Sequence, residues 1–260
     1  MSVTNPLTYN GYVTQVATMA VVNTQTVDGI VSSTDPAFNT IIPQMLNYAE
    51  MRIQRDIDFL QNTARQTFAI TSPTTNYVEI SNAKFKTVET VNAWNYSNTE
   101  VLATLLPTTK EFIQNVYPVS YTASNWGLPK YFYLLGDYTS QLINKLYIAP
   151  QSSDYITLEV IGSSYMDSLY TYSTNAAEAQ SSTTYISTYL PDMLVIASMI
   201  YISAYQRNFG RQSDDPAMAQ SYEAQYKALL PSALSEEGKK SFQASAWSSM
   251  SIPAIATPTR

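Results

Sequence analysis

The segment Pro191-Asp-Met-Leu-Val-Ile-Ala-Ser-Met-Ile-Tyr-Ile-Ser-Ala-Tyr-Gln-Arg-Asn-Phe-Gly210 constrains this chain more than any other, because its apolar residues run nearly all round a helical repeat. Such a helix must be covered on several sides. Pro191 suits the first helical turn and Gly210 the residue just past the last. The natural cover lies far upstream, in Pro43 to Leu60, where Leu46, Ala49, Ile53, Ile57 and Leu60 recur at steps of three or four and mark one helical stripe. Glu50, Arg52, Arg55 and Asp56 are expected on its solvated side. Two helices so far apart in sequence, packed directly on each other, would close a helical bundle from both halves of the chain.

The 260 residues, 45% of them hydrophobic, suffice for a substantial core. Only 13% are charged, against about 25% in ordinary soluble domains, and Ser, Thr, Asn and Gln supply the remaining polarity. The 21 tyrosines combine contact area with a hydrogen-bonding tip. Both features favour an interaction protein over a monomeric enzyme. A net charge of −6 makes free nucleic acid and anionic membranes poor partners.

The chain has no cysteine and no histidine, which removes disulfides, thiolate chemistry, the commonest general base and the leading transition-metal ligands. The seven glycines form no phosphate-binding loop. Asp56 and Asp58 are too close along a helix to converge, as are Glu236 and Glu237, and Asp214-Asp215 reads as a cap. Lys239-Lys240 reads as a solvated pair. No catalytic residue, cofactor or metal is expected. The opening residues show no basic, apolar leader, and the run from Met193 to Tyr205 is too short to span a bilayer, so use without secretion and without a membrane is expected.

Along the chain, Tyr12, Val16 and Met19 give a weak helical pattern. Asp35-Pro36 reads as a cap and first-turn proline of a short helix that Pro43 ends or kinks. Short strand signals follow at Thr67 to Ile70, Tyr77 to Ile80, Phe85 to Val91 and Leu102 to Leu106, with helical turns at Thr109 to Val116. Lys130 to Leu135, Leu142 to Ile148 and Tyr155 to Val160 read as a three-strand antiparallel meander whose last strand packs one face only. Residues 163–188 read as an exposed arm. A closing helix from Pro216 carries Met218, Tyr222, Tyr226 and Leu229, and from Ser232 the pattern fades into a polar tail. The expected fold is α+β: a helical bundle (1–62 and 183–240), an inserted antiparallel β-rich region with a Ser/Thr-rich arm (63–182), and an extended C-terminal tail (241–260).

Three stretches, in this order, resemble the head-to-tail adaptor (head completion, or connector) proteins of tailed bacteriophages, chiefly short-tailed ones. Tyr48-Ala-Glu-Met-Arg-Ile-Gln-Arg-Asp-Ile57 is similar to that family's first long helix. Pro129-Lys-Tyr-Phe-Tyr133, Leu146-Tyr-Ile-Ala-Pro150 and Tyr155-Ile-Thr-Leu-Glu159 look like its sheet. Leu190-Pro-Asp-Met-Leu-Val-Ile-Ala197, the helix from Pro216 and Tyr226-Lys-Ala-Leu229 resemble its closing helices. The resemblance spans about residues 36–232.

The resemblance implies a non-enzymatic virion subunit at the head–tail interface, assembled in the host cytoplasm. It would form a homo-oligomeric ring, by family analogy of twelve copies, binding the portal protein above and a tail protein (nozzle or tail tube) below. Phage DNA would cross its lumen without specific binding. In the proteins it resembles, a C-terminal extension reaches the portal. Here that segment carries Phe242, Trp247, Met250, Ile252 and Ile255, spaced anchors of the kind that fill partner pockets, with Trp247 foremost. The alternatives are a phage tail hydrolase or carbohydrate-binding module, and a tail tube or fibre subunit.

Overall fold

The computed structural model describes residues 6–71, 76–81, 85–118, 126–136, 143–207 and 216–244. The chain divides into two compact units, one of residues 1–60 with 166–260 and one of residues 61–165.

The first unit is largely helical. Helix α1 (Tyr9–Met19) starts where the Thr8 hydroxyl accepts from the Gly11 N–H. A two-stranded hairpin follows, β1 (Thr24–Val27) and β2 (Ile30–Ser33), turning through Asp28 and Gly29 at φ 51° and 81°. Asp-Gly suits such a turn because both central residues need positive φ. Helix α2 (Pro36–Asp56) is capped by Asp35, which accepts from the Ala37 N–H. Pro43 does not end it. The proline forfeits one backbone hydrogen bond, while Phe38, Ile41 and Ile42 before it and Met45, Leu46 and Ala49 after it are buried in one core, and that burial carries the helix on past it.

The stripe ends earlier than its spacing implies, because α2 stops at Asp56 and Leu60 is 39% exposed. Residues 163–188 are not an exposed arm. A 3-10 turn (Leu169–Ser173) and helices α4 (Ala176–Ser181) and α5 (Tyr185–Tyr189) send Leu169, Ala179 and Ile186 into the same core. Helix α6 (Pro191–Arg207) packs on α2, α1 and α7, as an all-round apolar helix requires. Helix α7 (Pro216–Ala244) continues through Pro231 well past Ser232, where the apolar pattern fades. Its inner face is Tyr222, Tyr226, Leu230 and Ala233, whereas Leu229 is exposed.

The second unit is one seven-stranded sheet in the order β3-β9-β5-β6-β7-β8-β4. The strands are β3 (Thr63–Ile70), β4 (Tyr77–Ser81), β5 (Thr87–Asn95), β6 (Val101–Pro107), β7 (Tyr131–Gly136), β8 (Ile143–Ala149) and β9 (Ile156–Ser163), with helix α3 (Lys110–Val116) between β6 and β7. Ile70 of edge strand β3 and Val78 and Ile80 of the opposite edge strand β4 enter one core, so the sheet curls toward closure. All neighbours are antiparallel except β6 and β7, which run parallel at Leu106↔Tyr131 and Pro107↔Phe132.

This overturns the expected helical bundle with an inserted antiparallel β-rich region. The protein is mixed α/β, with a large, nearly closed seven-stranded sheet that has its own hydrophobic core. The meander fails at its third strand: β7 pairs with β8, but β9 lies between β3 and β5. Burial on both faces explains it, since Thr157 and Glu159 are as inaccessible as Ile156, Leu158 and Val160, and only a central strand is covered on both faces and both edges.

Candidate interaction site

Among the described residues, several buried or half-buried polar side chains hold the fold together. Glu50, expected on the solvated side of α2, is buried at 2% exposure, and so is Gln54 one turn on, at 4%. Glu50 Oε1 accepts from the Leu169 N–H at 2.9 Å and Gln54 Oε1 from the Met166 N–H at 2.9 Å. Two neighbouring side chains of α2 thus fix the segment that follows residue 165. Burial pushes the Glu50 carboxyl up to about 7 against the pull of the Leu169 and Ser168 hydrogen bonds, and its Oε2 meets no donor among the described residues.

Arg52 makes a bidentate pair with Glu223 at 2.8 Å on both arms, and its guanidinium lies 4.3 Å from the centre of the Tyr226 ring. The Tyr226 hydroxyl donates to Asp56 at 2.8 Å. Lys240 is no solvated lysine: it reaches Glu237 at 2.6 Å and the Tyr185 hydroxyl at 2.7 Å. In the sheet, burial alone would raise the Glu159 carboxyl, but hydrogen bonds from Asn92 and the Trp94 indole and the Arg65 cation hold it below the usual carboxylate range. Among the described residues no group of three or more Asp or Glu is arranged to hold a metal, and no single helix is long and apolar enough to cross a membrane.

Exposed apolar surface is what remains for a partner. On α7, Leu234, Gly238 and Phe242 recur every fourth residue and share one face; Leu234 is 43% and Phe242 55% exposed, and nothing approaches the Gly238 Cβ position within 4 Å. Of the expected anchors, Phe242 therefore sits on the last turn of α7, in helix and not in extended chain. Trp247, Met250, Ile252 and Ile255 lie outside the described residues.

The sheet unit holds a second surface that periodicity does not reveal, a cleft of about 290 Å³ beside α3. Its floor is aromatic: Tyr133 of β7 and Tyr147 of β8 stand opposite each other with rings stacked at 4.8 Å and 6°. Outside the cleft lining, Tyr77 of β4 packs 5.4 Å from Tyr147.

The chain belongs to the SU10 adaptor protein family, whose model matches residues 8–250. That family comprises phage adaptor proteins, which places the chain among structural components of the virion at the head–tail junction. No curated protein matches the chain closely enough to add to this.

Proposed function

We infer that this protein forms a ring that joins the portal of the phage head to the tail and continues the DNA channel. The match over residues 8–250 carries the reading, and the abundance of Tyr and neutral polar residues agrees with it. In this reading the subunit is not an enzyme. Its partners are further copies of itself, the portal protein above and a nozzle or tail-tube protein below.

Passing DNA must not adhere to the lumen. Each Lys or Arg lining it would take up about one phosphate, so a neutral or acidic lining is favoured, and 20 acidic against 14 basic residues supply one. The docking element is the C-terminal part of the chain. Leu234 and Phe242 open an apolar stripe on α7, and Trp247, Met250, Ile252 and Ile255 continue the series of anchors toward the portal, Trp247 being the largest.

Truncation after Ala244 tests this, because it leaves α7 whole. The truncated subunit should fold normally and fail to co-sediment with portal rings, and Trp247→Ala should weaken the same binding about tenfold or more. Undiminished assembly of the truncated protein on portal rings would refute the docking role.

A further inference from the structure

No Asp, Glu, Lys or Arg precedes Asp28, in a chain of which 13% is charged. This charge-free stretch ends in β1. Strand β2 packs on α1, α2 and α4, whereas β1 pairs among the described residues with β2 alone, and all four of its side chains, Thr24 to Val27, are exposed. Its other edge therefore presents alternate backbone N–H and C=O groups that have no strand beside them. Natural proteins guard such an edge with charge, proline or a bulge. Thr-Gln-Thr-Val has neither charge nor proline, and its register with β2 is unbroken.

The turn that leads into β1 holds an apolar side chain outward at a conformational cost. The Val21 N–H donates to the Thr18 carbonyl and the Val22 N–H to that of Ala17, with Val21 at φ 56°. That is the left-handed position past a helix end where glycine is usual, and a β-branched residue there is an outlier. The side chain gains no burial in return, since Val21 is 87% exposed. Met19 before it and Val27 after it are exposed as well. On the exposed side of α1 the Thr14 and Thr18 hydroxyls are turned back on the Asn10 and Thr14 carbonyls.

Charge says what covers this surface. The chain carries −6, so copies of it repel wherever acidic faces meet, and they approach each other at least cost over a surface without charge. A basic partner would be drawn to the acidic faces instead. Hydroxyls, amides and a strand edge each donate and accept, which suits a partner of the same neutral composition. We propose that β1 and Val21 form the seat of the neighbouring copy of this chain, which adds to the β1 edge and covers Val21. The inference rests on the ring reading and names the surface on which one subunit receives the next; in a ring that contact is head-to-tail, so the neighbour meets β1 with a different surface.

Because the chain has no cysteine, Thr26→Cys in the full-length protein supplies a single thiol for a benzophenone maleimide. A minority of labelled copies is assembled with unlabelled protein on portal rings and irradiated. The expected product is an adduct of this chain with itself, joining residue 26 of one copy to a different residue of the next. Thr26→Asp should abolish copy-to-copy assembly with the melting temperature unchanged, and Val21→Gly should raise the melting temperature while weakening assembly severalfold. Adducts with the portal protein, no adduct, an adduct joining residue 26 to residue 26, or undiminished assembly of Thr26→Asp would each overturn the proposal. Where electron micrographs of the same samples show rings of this chain, such a result leaves the ring reading standing; where they show none, both fall.

Discussion

Glu50 is the residue whose environment departs furthest from its sequence pattern. A carboxyl in the second half of α2, among arginines and aspartates, is expected in water, yet it is buried against the Leu169 N–H. Its folded-state pKa, raised from 4.5 to about 7, means that folding favours the protonated form. The associated stability is complete below pH 4.5 and lost as pH rises through about 7. The change is on the order of 3 kcal/mol at 1.36 kcal/mol per pKa unit. Glu159 and Glu223 act oppositely, since their carboxyls are held below the usual range and destabilise only in more acidic solution. Glu50→Gln should therefore flatten the fall in melting temperature between pH 5 and 8 and stabilise the protein at the alkaline end; an unchanged slope would show that the carboxyl does not titrate there. Arg52 offers a second test. Its fork on Glu223 is partly exposed, so a double-mutant cycle with Arg52→Met and Glu223→Gln should give a coupling of about 1–2 kcal/mol, and a value near zero would reduce the pair to a surface contact.

At the scale of elements, what the sequence made legible was whatever carries a strong local period or cap. Helices α2, α6 and the start of α7 announce themselves through apolar stripes and Asp-Pro or Pro starts, and most strand positions through β-branched and aromatic runs. Pairing is not local, and there the reading failed. Strand β9 follows β8 in sequence yet joins β3 and β5, a choice made by burial on both faces that Glu159 disguised as a wet side. The Asp28-Gly29 hairpin was legible in principle, because that dipeptide needs no tertiary context to turn. The aromatic cleft was not, since Tyr133 and Tyr147 meet only through register. One glycine records the same long-range geometry: a Cβ at Gly162 would collide with the Thr87 carbonyl, where β5 shifts register against β9. Gly162→Ala should cost about 1–3 kcal/mol, as overpacking does, measured by denaturant unfolding, whereas Gly238→Ala, in open space within α7, should stabilise by about 0.5–1 kcal/mol. Equal effects at the two sites would contradict the close approach of β5 and β9.

At the scale of the whole molecule, two units with separate cores serve a protein whose family defines it by attachment. The helical unit carries the α7 stripe that leads toward residue 245, and the sheet unit carries the aromatic cleft, so each has its own candidate surface for a partner. Among the described residues the buried carboxyls of Glu50, Glu159 and Glu237 each take hydrogen bonds from groups of the fold itself. The central claim is that copies of this chain form a ring at the head–tail junction. Electron cryomicroscopy of purified virions, with density fitted separately by the helical and the sheet unit, tests it most directly. The account predicts a closed ring of these subunits immediately beneath the portal, with residues 245–260 of each running against portal density. Density for the chain in fibres or along a tail tube, with another protein beneath the portal, would contradict it.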